Sequence, residues 1–163
     1  MTNSRCRARS GVVIVISACF LIFEPIDASA QSEDEEALKN LVESFLTAVG
    51  DGNLDLLPDM FVPDANIGTA GMRDGSWVTS TMTFDEWMSS LRARTTWNRF
   101  REPVSEYTIH VEDSMMAFVR ADATLIRDGQ ARSRNIDYFT IVRDDGVWRF
   151  LSASYVAKPI ASE

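Results

Sequence analysis

The side chains able to do chemistry in this chain are carboxylates, arginines and tyrosines. His110 is the one histidine, and both cysteines, Cys6 and Cys19, lie ahead of Gln31. From Gln31 onward this excludes His/Cys metal clusters and a thiol nucleophile, and no carboxylate run has the spacing of a metal site. The glycines of 68–76 (GTAGMRDGS) follow no phosphate-cradle pattern and read as turn residues, so no cofactor is expected. What remains is a set in the C-terminal half: Tyr107, Arg120, Asp122, Asp137, Phe139 and Ser152. Arg120 with Asp137 has two readings: a cation that holds a ligand anion while the carboxylate orients it, or a cross-strand ion pair of little consequence. Asp122 reads as a general base if desolvated, or as a solvated carboxylate near a pocket mouth. Tyr107 reads as a hydrogen-bond donor or as a core tyrosine with its hydroxyl at the rim.

These residues sit on strands. Segments 104–112, 115–127, 130–144 and 147–157 are rich in β-branched and aromatic residues, with turns at Asp113-Ser114, Asp128-Gly129 and Asp145-Gly146. If each turn is a two-residue loop, Arg120 lies opposite Tyr107 on one side and Asp137 on the other. Phe118 then faces Ile109 and Phe139, Asp122 lies beside Ser105 and Asn135, and Ile141, Phe150, Ser152 and Ser154 share their face. That face is the expected pocket wall. In such a pocket Asp137 holds Arg120, and removing Asp137 strands a buried cation. The opposite face would carry His110, Ala117, Val119, Ala121, Ala123, Tyr138, Thr140, Val142 and Leu151, a small flat surface suited to homodimerisation. A bulge at any turn flips the parity of a strand.

Helices precede the strands. Ser32 and Glu35 form a capping box before an apolar stripe of Leu38, Leu41, Val42, Phe45, Leu46 and Val49, closed by Gly50 and Gly52. A short second helix is expected over 54–61, limited by Pro58, then a first strand over 65–69 and a loop over 68–76. Thr83 and Glu86 form a second capping box, opening a third helix marked by Phe84, Trp87, Met88 and Leu91. Trp77, Trp87 and Trp97 are candidate aromatic walls of a ligand site. The order is α+β: a curved antiparallel sheet wrapped by three N-terminal helices.

The stretch 1–30 reads as a secretory signal peptide: Arg5, Arg7 and Arg9, an apolar run over 11–23, then Ala28-Ser29-Ala30. The run is too short to span a bilayer comfortably. Cleavage after Ala30 leaves one domain over 31–163, secreted or periplasmic. A second reading takes Ile16-Ser17-Ala18-Cys19 as a lipobox with Cys19 lipidated, against which Phe20-Leu21-Ile22-Phe23 continues the apolar run. The whole chain carries a net charge of −8. Losing everything ahead of Gln31 takes away three arginines and two acids, leaving 13 basic and 22 acidic side chains and a charge of −9. A surface this acidic repels nucleic acid and anionic lipid.

The segment LVESFLTAVGDGNLDLLPDMFVPDANIGTA, with its Gly50-Asp51-Gly52-Asn53-Leu54-Asp55 connection and Phe61-x-x-Asp64-Ala65, resembles the opening of the nuclear transport factor 2-like (NTF2-like) superfamily. That superfamily includes ketosteroid isomerases and SnoaL-type cyclases. The closing segment, Asp137-Tyr138-Phe139 followed by Asp145-Gly146-x-Trp148-Arg149-Phe150 and Tyr155, is similar to its putative lumazine-binding branch. The resemblance implies a cone-shaped sheet with an internal pocket, and frequent dimerisation. It also implies an isomerase donor tyrosine and a base aspartate, but the matching positions here are Phe45 and Thr69. Phenylalanine donates no hydrogen bond and threonine is no base near neutral pH. The expectation is an exported domain binding a small apolar or aromatic ligand with a polar or anionic end. Alternatives are a cyclase, dehydratase or isomerase using Asp122 or Asp137, and a dimeric interaction module with a vestigial pocket.

Overall fold

The computed structural model describes residues 28–160, so the signal-peptide expectation lies almost wholly outside the described residues. The element order is α1 (Ala28–Asp51), two 3-10 turns (Leu54–Leu56 and Pro58–Met60), β1 (Phe61–Arg73), β2 (Ser76–Thr83), α2 (Phe84–Arg92), β3 (Val104–Glu112), β4 (Met116–Arg127), β5 (Gln130–Asp144) and β6 (Val147–Pro159). One six-stranded sheet is formed, in the order β2-β1-β6-β5-β4-β3. The α+β cone is as the sequence leads one to expect, with three differences of detail.

The helices are not all N-terminal, because a hairpin precedes α2. The expected loop over 68–76 is instead the end of β1 and a turn into β2, with Arg73 paired to Ser76 across Asp74-Gly75. Asp74 at φ 50° and Gly75 at φ 78° form the positive-φ pair that a two-residue hairpin loop demands. Second, the expected helix over 54–61 is two single turns, with Pro58 opening the second. Third, the sheet is mixed, since β1 runs parallel to β6 while the other neighbours are antiparallel. Gly68 makes that parallel approach possible: a Cβ there would lie 2.7 Å from the Ser154 hydroxyl.

The helices earn their places through their apolar faces. Leu38, Val42, Phe45 and Leu46 of α1 and Phe84, Met88 and Leu91 of α2 pack onto Val119, Phe139, Ile141 and Phe150 of the sheet. The Thr83 capping box starts α2 as the sequence suggests, with the Glu86 amide donating to the Thr83 hydroxyl and the Thr83 amide to the Glu86 carboxylate. Phe45 is the hub of an aromatic cluster, its ring 5.6 Å from Phe61, 6.1 Å from Trp87, 5.9 Å from Phe139 and 5.2 Å from Phe150. Near its start α1 is tied to the sheet by Asp34, which pairs with Arg143 and accepts the Trp148 indole N–H at 3.3 Å.

Between α2 and β3, residues 93–103 run as an irregular strap across the end of α1. The Phe100 amide and the Trp97 indole both donate to the Gly50 carbonyl, at 3.2 and 3.3 Å. Arg101 exchanges two backbone bonds with Ile126, at 2.9 and 2.8 Å. Gly50 has to be glycine for this docking, since a Cβ would meet the Phe100 carbonyl oxygen at 2.5 Å.

Candidate functional site

Strand register decides which residues meet. One of the three C-terminal turns differs from a simple two-residue loop, and bulges inside β5 and β6 shift the other pairings. Glu112 pairs with Met116, so Asp113-Ser114-Met115 is a three-residue loop and β3 is shifted by one against β4. Along β4–β5, Ile126 pairs with Ala131 but Leu125 with Ser133, so Arg132 is a bulge. A further bulge at Leu151 shifts β6, because Ile141 pairs with Phe150 and Thr140 with Ser152.

The expected six-residue site is therefore divided between two faces. Tyr107, Asp137 and Phe139 lie on the inner face beneath the helices. Arg120, Asp122 and Ser152 lie on the outer one. Arg120 stands opposite Thr108 and Tyr138, not Tyr107 and Asp137, and the expected Arg120–Asp137 pair does not exist. Arg120 binds Asp122 instead: its Nη2 donates to Oδ1 at 2.9 Å and sits 2.7 Å from Oδ2, an ionic contact off the hydrogen-bond axis. Arg134 reaches the same carboxylate at 2.9 Å. Ser152 lines a shallow outer depression with Thr108, His110, Phe118, Tyr138 and Thr140. Ala117, Val119, Ala121 and Ala123, expected on that outer surface, are buried inside.

On the inner face the register lines up Tyr107, Ala121, Asp137, Tyr155 and Thr69 across five strands. The next row brings together Ala123, Asn135, Ala157 and Gly71. A cavity of about 330 Å³ stands over these rows. Phe45, Leu46 and Val49 of α1, Trp87 and Leu91 of α2, and Phe100 of the strap form its walls. Its polar lining is Asp137, Asn135, Glu102 and Tyr155, with Arg94 and Arg127 toward the open end of the sheet. Of the expected site residues only Asp137 lines it. The Tyr107 hydroxyl turns toward α1 and donates to Glu43 at 3.4 Å, and Phe139 is core, packed on Phe45 and Phe150.

Asp137 is 5% exposed, and its Oδ2 has no hydrogen-bond partner among the described residues. Desolvation, and after it the nearby Glu102 and Asp122 carboxylates, push its pKa up to about 8. It is therefore a neutral carboxyl at pH 7, able to donate a hydrogen bond. Glu102 is also raised by desolvation, although Asn135 donates its amide N–H to it. Desolvation raises Tyr155 as well, with Glu102 and Asp137 adding to the effect. The second orphan on this lining is cationic: Arg127 Nε is shielded from water and has no partner among the described residues. An acidic floor with a free proton donor and a rim with a free guanidinium N–H are both left without a partner among the described residues.

Phe45 and Thr69 keep their places in this geometry. Phe45 closes the apolar end of the cavity, and Thr69 is the β1 neighbour of Tyr155. Asn135 and Tyr155 were within reach of sequence reasoning: strand alternation puts Asn135 on the face of Asp137, and placing the Leu151 bulge brings Tyr155 opposite it. Glu102, Arg94 and Phe100 come from the strap, which carries no periodicity to orient them. Among the described residues no group of three or more His, Cys, Asp or Glu is placed to hold a metal ion. Nor is any described helix long and apolar enough to cross a membrane.

Comparison with known proteins agrees with this architecture. No curated protein matches the sequence. An NTF2-like protein of unknown function from Silicibacter pomeroyi superposes with a TM-score of 0.55 at 21% identity, over 78% of this chain and 98% of that one. An NTF2-like protein with a cystatin-like fold from Novosphingobium aromaticivorans gives 0.64 at 15% identity, over 86% and 94%. A protein from the same organism described as a putative scytalone dehydratase gives 0.61 at 17%, over 83% and 93%. At these identities the likeness is one of fold. The family model described as putative lumazine-binding matches residues 33–156, from the second turn of α1 into β6, and the chain belongs to that family, with a fold like that of the NTF2-like proteins above.

Proposed function

We propose that this domain binds a small, flat, largely apolar ligand in the inner cavity, with a polar edge against Asp137 and Asn135 and an anionic end toward Arg127 and Arg94. The observation that carries this reading is the pair of orphaned buried atoms on one cavity lining, Asp137 Oδ2 and Arg127 Nε. Native structures leave few such groups unpaired, and ligands commonly supply the missing partner. A fused nitrogen heteroaromatic, the ring class to which the family's lumazine belongs, is flat enough for Phe45, Trp87 and Phe100 to sandwich, whichever polar edge it carries.

Titration with 8-anilinonaphthalene-1-sulfonate, an aromatic body with one anionic end, tests the reading. One-to-one binding is expected, with quenching of Trp87, and Ala157→Trp should fill the cavity and abolish it while the circular dichroism spectrum stays native. Unchanged binding to Ala157→Trp would place the probe elsewhere and remove the site. The same carboxyl supports a second reading, proton transfer of the cyclase, dehydratase or isomerase kind, with Asp137 as the acid. Deuterium washing from solvent into a bound ketone, lost in Asp137→Asn, is its signature.

Two further properties belong to the proposal. Export with cleavage after Ala30 is supported by the order of basic, apolar and small side chains ahead of Gln31, and the intact mass of the exported chain checks it against the Cys19-lipidated product. Homodimerisation is supported by the outer sheet face, where Phe118 and Tyr138 are each about half exposed. Light scattering should find a dimer that Phe118→Glu converts to a monomer; a monomer at high concentration before any substitution rules the pairing out.

A further inference from the structure

The acidic groups at the cavity floor have no cation paired with them among the described residues. Asp137 is met by Asn135 from its own strand, Tyr155 from β6, Glu102 from the strap and Ala121 from β4, with Asp122 on the far side of the sheet and Tyr107 one strand further along. Above it α1 and α2 present only Phe45, Leu46, Val49, Trp87 and Leu91. Among the described residues the ion pairs engage Asp34, Asp55, Glu112, Asp122 and Asp144, none of which lines this cavity. The two arginines of the lining lie away from the floor: Arg94 is exposed and stacks on Trp97 at 5.2 Å, and Arg127 ends β4. Two acidic groups therefore share one apolar cavity with no internal cation against them. One of them is almost wholly buried and has an unpartnered oxygen.

We infer that the floor of the cavity is built for the amidine edge of a nitrogen heterocycle, a ring nitrogen beside an exocyclic amino group, which the Asp137 carboxyl grips with two hydrogen bonds. This rests on the cavity reading above and names the chemistry of its deep end. A carboxyl and an amidine match atom for atom: O–H against the ring nitrogen and C=O against the amino N–H. The carboxyl proton passes to the ring nitrogen, leaving a carboxylate against a protonated heterocycle. No proton is gained or lost overall, and the ligand becomes the cation that Glu102 and Asp137 lack. The raised pKa of Asp137 supports the same picture, because it keeps the empty site neutral and the proton available. An imide edge, with N–H between two carbonyls, offers no basic nitrogen and brings no positive charge to the two acids.

Three bicyclic probes of similar size separate the possibilities: 2,4-diaminoquinazoline with the amidine edge, quinazoline-2,4-dione with the imide edge, and naphthalene with neither. Calorimetry at pH 7 should show the diamine binding about 10- to 100-fold tighter than the dione, the range one charge-assisted pair of hydrogen bonds supplies. Asp137→Asn should erase that preference and leave naphthalene binding unchanged. The ¹⁵N shift of a labelled ring nitrogen should report a protonated heterocycle in the complex with the unmodified protein. A dione bound as tightly as the diamine, or a preference that survives Asp137→Asn, overturns the inference while naphthalene binding keeps the cavity reading intact. Failure of all three probes to bind would overturn both.

Discussion

Asp122 and Asp137 are neighbours on adjacent strands, and both are at least 95% buried, yet the fold treats them in opposite ways. They lie on opposite faces of the sheet. Asp122 faces outward and is covered by Arg120 and Arg134, so its charge is met twice. Asp137 faces inward among aromatic rings and is met by no cation among the described residues. Burial alone does not separate a structural carboxylate from a site residue. What separates them is opposite charge: Oδ2 of each lacks a hydrogen bond among the described residues, but only Asp122 has guanidiniums against it. One carboxylate has its charge met by the chain; the other has no cation beside it among the described residues.

The comparison breaks most visibly at Asp122. Asp122→Ala leaves Arg120 and Arg134 facing each other across a small void, with their shared acceptor gone. Removing one side of a buried pair typically costs about 3–5 kcal/mol. Here both guanidiniums retain contact with water, with Arg134 62% and Arg120 35% exposed, so about 2–3 kcal/mol is the expected loss. Urea unfolding checks it. A change below about 0.5 kcal/mol, the range of an ordinary surface substitution, would mean that the cluster is decorative.

At Asp137 the expected sign is reversed. An unfolded aspartate releases its proton near pH 3.9. In the fold Asp137 holds it to about 8. Between those values the folded state binds more protons than the unfolded chain, so stability falls as pH rises from about 4 to about 8 and then levels. Asp137→Asn removes the titrating group and keeps the shape. It should match the parent near pH 4 and melt several degrees higher at pH 8.5, and a weaker slope should remain because Glu102 is raised in the same direction. An Asp137→Asn protein that is less stable at every pH would mean that the carboxylate has a partner in solution.

How much of this was legible beforehand divides along the same line. The Thr83 capping box, the apolar stripe of α1, the four C-terminal strands and the family resemblance all follow from local signals, and the architecture follows from them. The Ser32–Glu35 box does not start α1, which already runs from Ala28. The Arg120–Asp137 pairing did not survive. It depended on register, which a single inserted residue reverses. Met115 in the first turn, Arg132 in β5 and Leu151 in β6 are three such residues. None is glycine, and none carries a composition that marks a bulge. The Asp74-Gly75 hairpin lies in the stretch 68–76 that reads as a loop, because the glycines around it mask the Asp-Gly turn between two strands. Glu102 belongs to a strap held by backbone bonds to Gly50 and Ile126, contacts over a long sequence separation that no local pattern announces.

The smallest expected effect sharpens the contrast between a pair and a lone group. Arg120 and Arg134 reach one carboxylate, but their surroundings differ. Arg120 lies between Thr108 and Tyr138 in the middle of the sheet and touches both oxygens of Asp122. Arg134 lies between Thr124 and Lys158 and is far more exposed, with one contact to Oδ1. Solvent screens an exposed partner and its long side chain loses rotamer freedom on pairing, so Arg134→Met should cost only about 0.2–1 kcal/mol. Arg120 then still covers Asp122. Raising the salt to about 1 M shortens the screening length to about 3 Å and should shrink the cost further. Arg120→Met removes the better-ordered cation and should cost more, with less response to salt. Equal losses from the two substitutions would mean that Asp122 is satisfied by total positive charge and not by geometry. The distinction drawn between the two aspartates would then rest on net charge at each face alone.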